Sequence, residues 1–120
     1  MNNQLKQKKT LFDGDQNDLQ HTLAKIKCPK CAASIEIGLV NLRSISSIPA
    51  EHRSELLANM KGVKVTNMGG HSFYKYEFMP VMHIEATCKI CLMGFDFVFG
   101  AGEFQPARYM VVLGGVFEKH

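Results

Sequence analysis

The sequence predicts an α+β fold that is mostly β. Three observations carry the prediction. All four cysteines fall into two Cys-x-x-Cys pairs, Cys28-Pro29-Lys30-Cys31 and Cys88-Lys89-Ile90-Cys91. Each pair stands between segments whose apolar residues alternate with period two, the spacing of a half-buried strand. Only one stretch between the pairs has the punctuation of a helix.

Residues 1–22 are rich in Asn, Gln, Lys and Asp and poor in apolar side chains. Such a stretch buries too little surface to offset its ordering entropy, so it reads as a flexible polar tail. Thr10-Leu11-Phe12 is its one apolar island, with the composition of a short docking peptide. Residues 23–120 read as a single domain. Ala24 to Lys27 enters the first cysteine pair and Ser34 to Leu42 leaves it, with Ile35, Ile37 and Leu39 on one side and Glu36 between them. The second pair repeats the plan, with Val81 to Thr87 entering and Phe95-Asp96-Phe97-Val98-Phe99 leaving. In both copies an acid lies five residues past the second cysteine, on the face opposite its apolar neighbours. Two hairpins packed with a crude internal twofold are expected.

Between the copies, Ser47-Ile48-Pro49-Ala50-Glu51 supplies a capping Ser, an early Pro and an acid, and Lys61-Gly62 supplies a stop. The helix would present His52, Arg53, Leu56, Leu57 and Met60 on one face. Val63 to Thr66 and Ser72 to Met79 read as strands around a Met68-Gly69-Gly70-His71 turn. Gly100-Ala101-Gly102-Glu103 and Pro106 mark a further turn, Tyr109 to Leu113 a last strand, and Gly114-Gly115 a bulge or bend.

A two-residue spacer lets both sulfurs of a pair face one point, and two such pairs fill a tetrahedral shell with no thiol left over. One structural zinc ion held by Cys28, Cys31, Cys88 and Cys91 is therefore expected. The two tips and their flanking strands resemble the zinc-ribbon family, including rubredoxin-like metal knuckles, over about 35 residues. The resemblance implies a ribbon split by an inserted helix and β-hairpin, because 56 residues separate Cys31 from Cys88. It also implies a role in the transcription or nucleic-acid machinery, where ribbons recur. The sequence departs from the knuckle pattern after each second cysteine, where Gly is usual and Ala32 and Leu92 stand here.

Charge and composition narrow the function classes. The net charge is +3, but Lys6, Lys8 and Lys9 balance Asp13, Asp15 and Asp18, leaving eleven bases against eight acids over residues 24–120. Four thiolates on a divalent ion remove most of that excess, so charge names no partner. No apolar stretch is long enough to cross a membrane as a helix, and no secretory signal opens the chain. A soluble protein in a reducing, cytoplasmic setting is the reading.

Rival chemistries lack their context. Thioredoxin-like catalysis needs its first cysteine at a helix N-terminus, and the residues after Cys31 alternate as a strand. His83-Ile84-Glu85 before Cys88 resembles fragments of a zinc-deaminase signature, but two intervening residues cannot place the pieces on separate helices. On a strand His83 and Glu85 share a face, as a solvated pair, and His21, His52, His71 and His120 read as surface or loop residues. No enzyme is expected. The expected function is an adaptor or regulatory protein that binds another protein, with direct binding of single-stranded nucleic acid as the alternative and thiol redox chemistry as a remote one. The partner-binding candidates are Lys30 and Lys89 on the knuckles and Tyr74 and Tyr76 on the aromatic strand.

Overall fold

In the computed structural model, which describes residues 2–119, nine strands and two short α-helices are arranged as three layers. The strands are β1 (Asn2–Gly14), β2 (Leu23–Lys27), β3 (Ser34–Gly38), β4 (Arg43–Ser44), β5 (Val63–Met68), β6 (His71–Tyr76), β7 (Met79–Thr87), β8 (Gly94–Gln105) and β9 (Arg108–Glu118). The helices are α1 (Gln16–His21) and α2 (Ala50–Ala58). An antiparallel sheet in the order β1-β9-β8-β7-β6-β5, with β4 also paired to β7, forms the middle layer. The β2–β3 hairpin contributes to one buried core and α2 to the other.

This layering explains the near-continuous apolar run in β8. Phe95, Phe97 and Phe99 join Ile26, Ile35, Ile37 and Leu39 in the first core, while Val98 joins Leu56, Met60, Val81 and Phe117 in the second. A strand buried on both faces cannot alternate apolar with polar. β9 does the same, with a change of parity at its bulge: Phe99 pairs with Leu113 but Val98 with Gly115, so Gly114 is the extra residue. Val111, Leu113 and Val116 thereby face the first core, and Val112 and Phe117 the second. The bulge expected at Gly114-Gly115 is present, and it also makes room. A Cβ at Gly114 would lie 2.8 Å from the Tyr76 ring and 2.9 Å from the Met60 methyl carbon.

Several expectations are corrected. Where composition suggests a flexible tail, the described residues from Asn2 to His21 include two regular elements: β1 pairs antiparallel with β9, and α1 follows, with the Asp15 side chain accepting the Asp18 N–H at 2.8 Å. Strand pairing uses backbone groups, which composition does not count, and β9 offers them along its open side. Leu11 and Phe12 pack against the first core, so they are not a free docking peptide. The helix starts at Ala50 with Pro49 at its cap position and no side-chain cap. Ser47 belongs to a preceding 3-10 turn, and Ser44 accepts the Ser46 N–H there. Gly100 to Glu103 continue β8, and the reversal comes at Pro106-Ala107. β9 runs on to Glu118, five residues past the expected end.

The Gly69-Gly70 turn is as expected, with both residues at positive φ and Met68 paired to His71. The next strand, however, ends at Tyr76, because Glu77 and Phe78 adopt φ of 53° and 66° in a tight turn to β7.

Gly114→Ala should lower stability by about 1–3 kcal/mol, since the added methyl meets two packed side chains. Gly94→Ala, where a Cβ makes only ordinary contacts from 3.6 Å outward, should stay within about 0.5 kcal/mol of wild type. Paired urea denaturation curves check the contrast.

Candidate metal centre

Each cysteine pair occupies a six-residue tip between paired strands. Lys27 pairs with Ser34 below the first tip, and Thr87 with Gly94 below the second. The two tips close identically. The Cys28 N–H donates to the Ala33 carbonyl at 2.8 Å and the Ala32 N–H to the Cys28 carbonyl at 2.9 Å. The Cys88 N–H donates to Met93 at 2.9 Å and the Leu92 N–H to Cys88 at 3.0 Å. Ala32 and Leu92 both sit at φ 64°, the left-handed conformation that favours Gly. The missing glycines therefore did not change the loop; two non-glycine residues were placed in its strained position.

The result is a convergence of four sulfurs whose Sγ atoms all lie within 4.8 Å of one another. Cys28 Sγ is 3.6 Å from Cys91 Sγ, and Cys31 Sγ is 3.5 Å from Cys88 Sγ. Bonds of about 2.3 Å to a tetrahedral zinc ion would set sulfurs about 3.8 Å apart, so the cluster needs only a slight expansion to hold one. Cys28 and Cys88 are buried and Cys31 is exposed.

The electrostatics favour a cation. The N–H groups of Cys91 and Ile90 point at the Cys88 sulfur and hold its thiol down to about 6. The Met93 N–H acts on Cys91 in the same direction, but burial and the three neighbouring sulfurs push that thiol up to about 12. One thiolate forms readily and makes the next costly. A divalent ion removes the conflict. Neither pair starts a helix, as both tips lead into strands, so the N-terminal dipole that activates thioredoxin-like cysteines is missing from both.

The partner-binding candidates do not form one surface. Lys89 is exposed, and Lys30 reaches Glu118 at 3.6 Å. Tyr76 is buried in the second core and Tyr74 packs half-buried against it, with the Arg53 guanidinium 5.9 Å from the Tyr74 ring centroid. Tyr76 cannot stack a base, which corrects the reading of the aromatic strand. Among the described side chains, the exposed phenylalanines are Phe73 and Phe78, the latter in the turn that ends β6. At the metal tips the exposed apolar residues are Ile90 and Leu92, positions that sequence reasoning passed over as a spacer and a flank.

Sequence reasoning also missed a second cluster: His52, His83, Glu85 and Asp96 bring ligand atoms within 4.8 Å of one another. His83 is 3% exposed and Asp96 1%, so His83 and Glu85 are not the solvated pair expected, and His52 is not a plain surface residue. The only signal available was the acid at the matching place in both hairpins. Glu36 stays in water, whereas Asp96 lies under α2. His120 lies outside the described residues.

Comparison with protein-family models, with curated proteins and with solved structures finds no match to this chain. The four-cysteine geometry is compatible with a zinc-ribbon-like site, and it stands on the chain's own residues. Among the described residues, no helix is long and apolar enough to cross a membrane.

Leu92→Gly should raise stability by about 0.5 kcal/mol. Relief of a left-handed non-glycine residue, about 1 kcal/mol, is partly offset by the freer unfolded chain. Leu92 is 75% exposed and gives up little packing. Chemical denaturation of the metal-loaded protein checks this, and a clear loss of stability would mean that the Leu92 side chain matters more than its backbone.

Proposed function

We propose that the four cysteines hold one structural zinc ion and that the protein is a zinc-stabilised adaptor or regulatory protein that binds another protein through the surface around its metal tips. The observation that carries the metal assignment is the matched pair of loops, which bring four sulfurs to 3.5–3.6 Å across the pairs with no fifth cysteine in the chain. Thiolate donors in a closed set of four suit zinc and leave no open position for substrate, which is the pattern of a structural site. The ion ties the β2–β3 hairpin to the β7–β8 hairpin across a long loop. Its binding free energy is then folding free energy.

Support for a protein partner comes from the composition of the tips. Ile90 and Leu92 are 74% and 75% exposed beside Lys89, an apolar patch with a basic neighbour on backbone that the ion would make rigid. Ordering such a surface on binding costs little entropy. Recruitment to transcription or nucleic-acid machinery follows only from the resemblance to zinc ribbons. Direct nucleic-acid binding has less support, because the aromatic strand beside Lys75 turns Tyr76 into the core.

Protein purified without added metal should carry close to one equivalent of zinc. Cys88→Ser should lose it and unfold or loosen cooperatively. Elemental analysis and thermal melting check both, and four freely titratable thiols in native, metal-free protein would overturn the assignment. Binding to single-stranded RNA with a steep inverse dependence on salt would favour the nucleic-acid reading over the protein partner.

A further inference from the structure

We infer that His52, His83 and Asp96, with Glu85 as fourth donor, form a second divalent-metal site, made of nitrogen and oxygen ligands and separate from the cysteine cluster. Three elements build it. β7 and β8 place Glu85 directly across from Asp96, and His83 across from Val98, so His83, Glu85 and Asp96 share the sheet face over which α2 lies. α2 supplies His52 from its first turn. The Arg53 guanidinium donates to the Ser46 and Ile48 carbonyls, both at 3.3 Å, and so fixes the start of the helix against the segment before it.

The geometry is that of a ligand set. His83 Nε2 is 2.8 Å from Asp96 Oδ1 and His52 Nε2 is 3.1 Å from Asp96 Oδ2. The two imidazole planes stand at 83° with centroids 6.3 Å apart, so they approach the carboxylate from different directions. Nitrogen and oxygen ligands about 2.0–2.1 Å from a tetrahedral ion lie about 3.3 Å from one another, close to the spacing found here.

Two further facts separate this cluster from an ordinary buried ion pair. His52 Nε2 is buried and is not satisfied by a hydrogen bond, although Asp96 Oδ2 lies 3.1 Å away. Burying a polar nitrogen unpaired costs free energy that a bound cation would recover. His83 is nearly fully buried, and its Nε2 is aimed at the same carboxylate. Asp96 is almost fully buried beside a cavity of about 420 Å³ that Glu55, Glu85 and Glu118 also line, where Lys119 pairs with Glu85 at 2.8 Å and Lys30 with Glu118 at 3.6 Å.

Two imidazoles with carboxylates select a borderline divalent transition ion over calcium or magnesium, which take oxygen donors. The cavity gives the ion an entry path. The assignment does not depend on the identity of the ion in the cysteine cluster.

The test uses the full chain loaded with one equivalent of zinc and titrated with cobalt(II) at neutral pH, followed by calorimetry and visible absorption. Wild type should take up one further equivalent, with the weak ligand-field bands of nitrogen and oxygen donors and without the intense charge-transfer bands of cobalt thiolate. His52→Ala should bind cobalt at least about tenfold more weakly, since even indirect partners of metal ligands are worth that much. His71→Ala, an exposed histidine on β6, should bind as wild type does. Failure of the zinc-loaded wild type to bind cobalt, or only thiolate bands from displaced zinc, overturns the proposal whether or not the variants fold. Equal affinity in His52→Ala overturns the ligand set.

Discussion

Four sulfur atoms held within 4.8 Å of each other are tolerable as thiols and mutually repulsive as thiolates, and the fold arranges around that tension. The N–H groups of Ile90 and Cys91 already draw one thiolate into the cluster, and the remaining sulfurs resist further ionisation. A divalent cation would turn the repulsion into a cross-link between two hairpins 60 residues apart in sequence. Everything near the cluster is consistent with that cross-link. The first core lies directly beneath it, with Cys28 and Cys88 packed among Ile26, Ile35, Phe95 and Phe97.

β8 links the two clusters. It begins three residues after Cys91, and its alternation sends Phe95 and Phe97 toward the cysteine side and Asp96 toward α2. A carboxylate can be this deeply buried only when it is paired, and His52 and His83 supply the partners from two other elements. The two hairpins thus share a loop geometry and diverge in use: Glu36 is solvated where Asp96 is enclosed. Loss of pairing around Asp96 would be felt in the second core, through Val98 and Phe117 on its flanks.

The layers also explain why the exposed surface is uneven. The β5–β6 arm at one end of the sheet order leaves Val65, Met68 and Phe73 half or more exposed, while β8 and β9 are buried on both faces. Strands near the middle of the sheet are covered by the hairpin and the helix. β5 and β6 lie at the far end of the sheet order from that cover, and exposed apolar residues collect there and at the metal tips.

The sequence by itself determined the local devices. The Cys-x-x-Cys spacing, the alternation of Ile35, Glu36 and Ile37, the Gly69-Gly70 turn and the Gly114 bulge all express short-range geometry, and short-range geometry is written in neighbouring residues. Tertiary structure decided the rest. Whether residues 2–14 pair with β9 depends on backbone groups that every sequence has, so composition is silent on it. Whether Tyr76 stacks on a ligand or fills a core depends on where the chain turns at Glu77 and Phe78, against their intrinsic preference for negative φ. His52, His83 and Asp96 come from a helix and two strands, with no spacing that marks them. Only the packing of α2 on the sheet removes them from water, and burial gives a carboxylate and two imidazoles a shared chemistry.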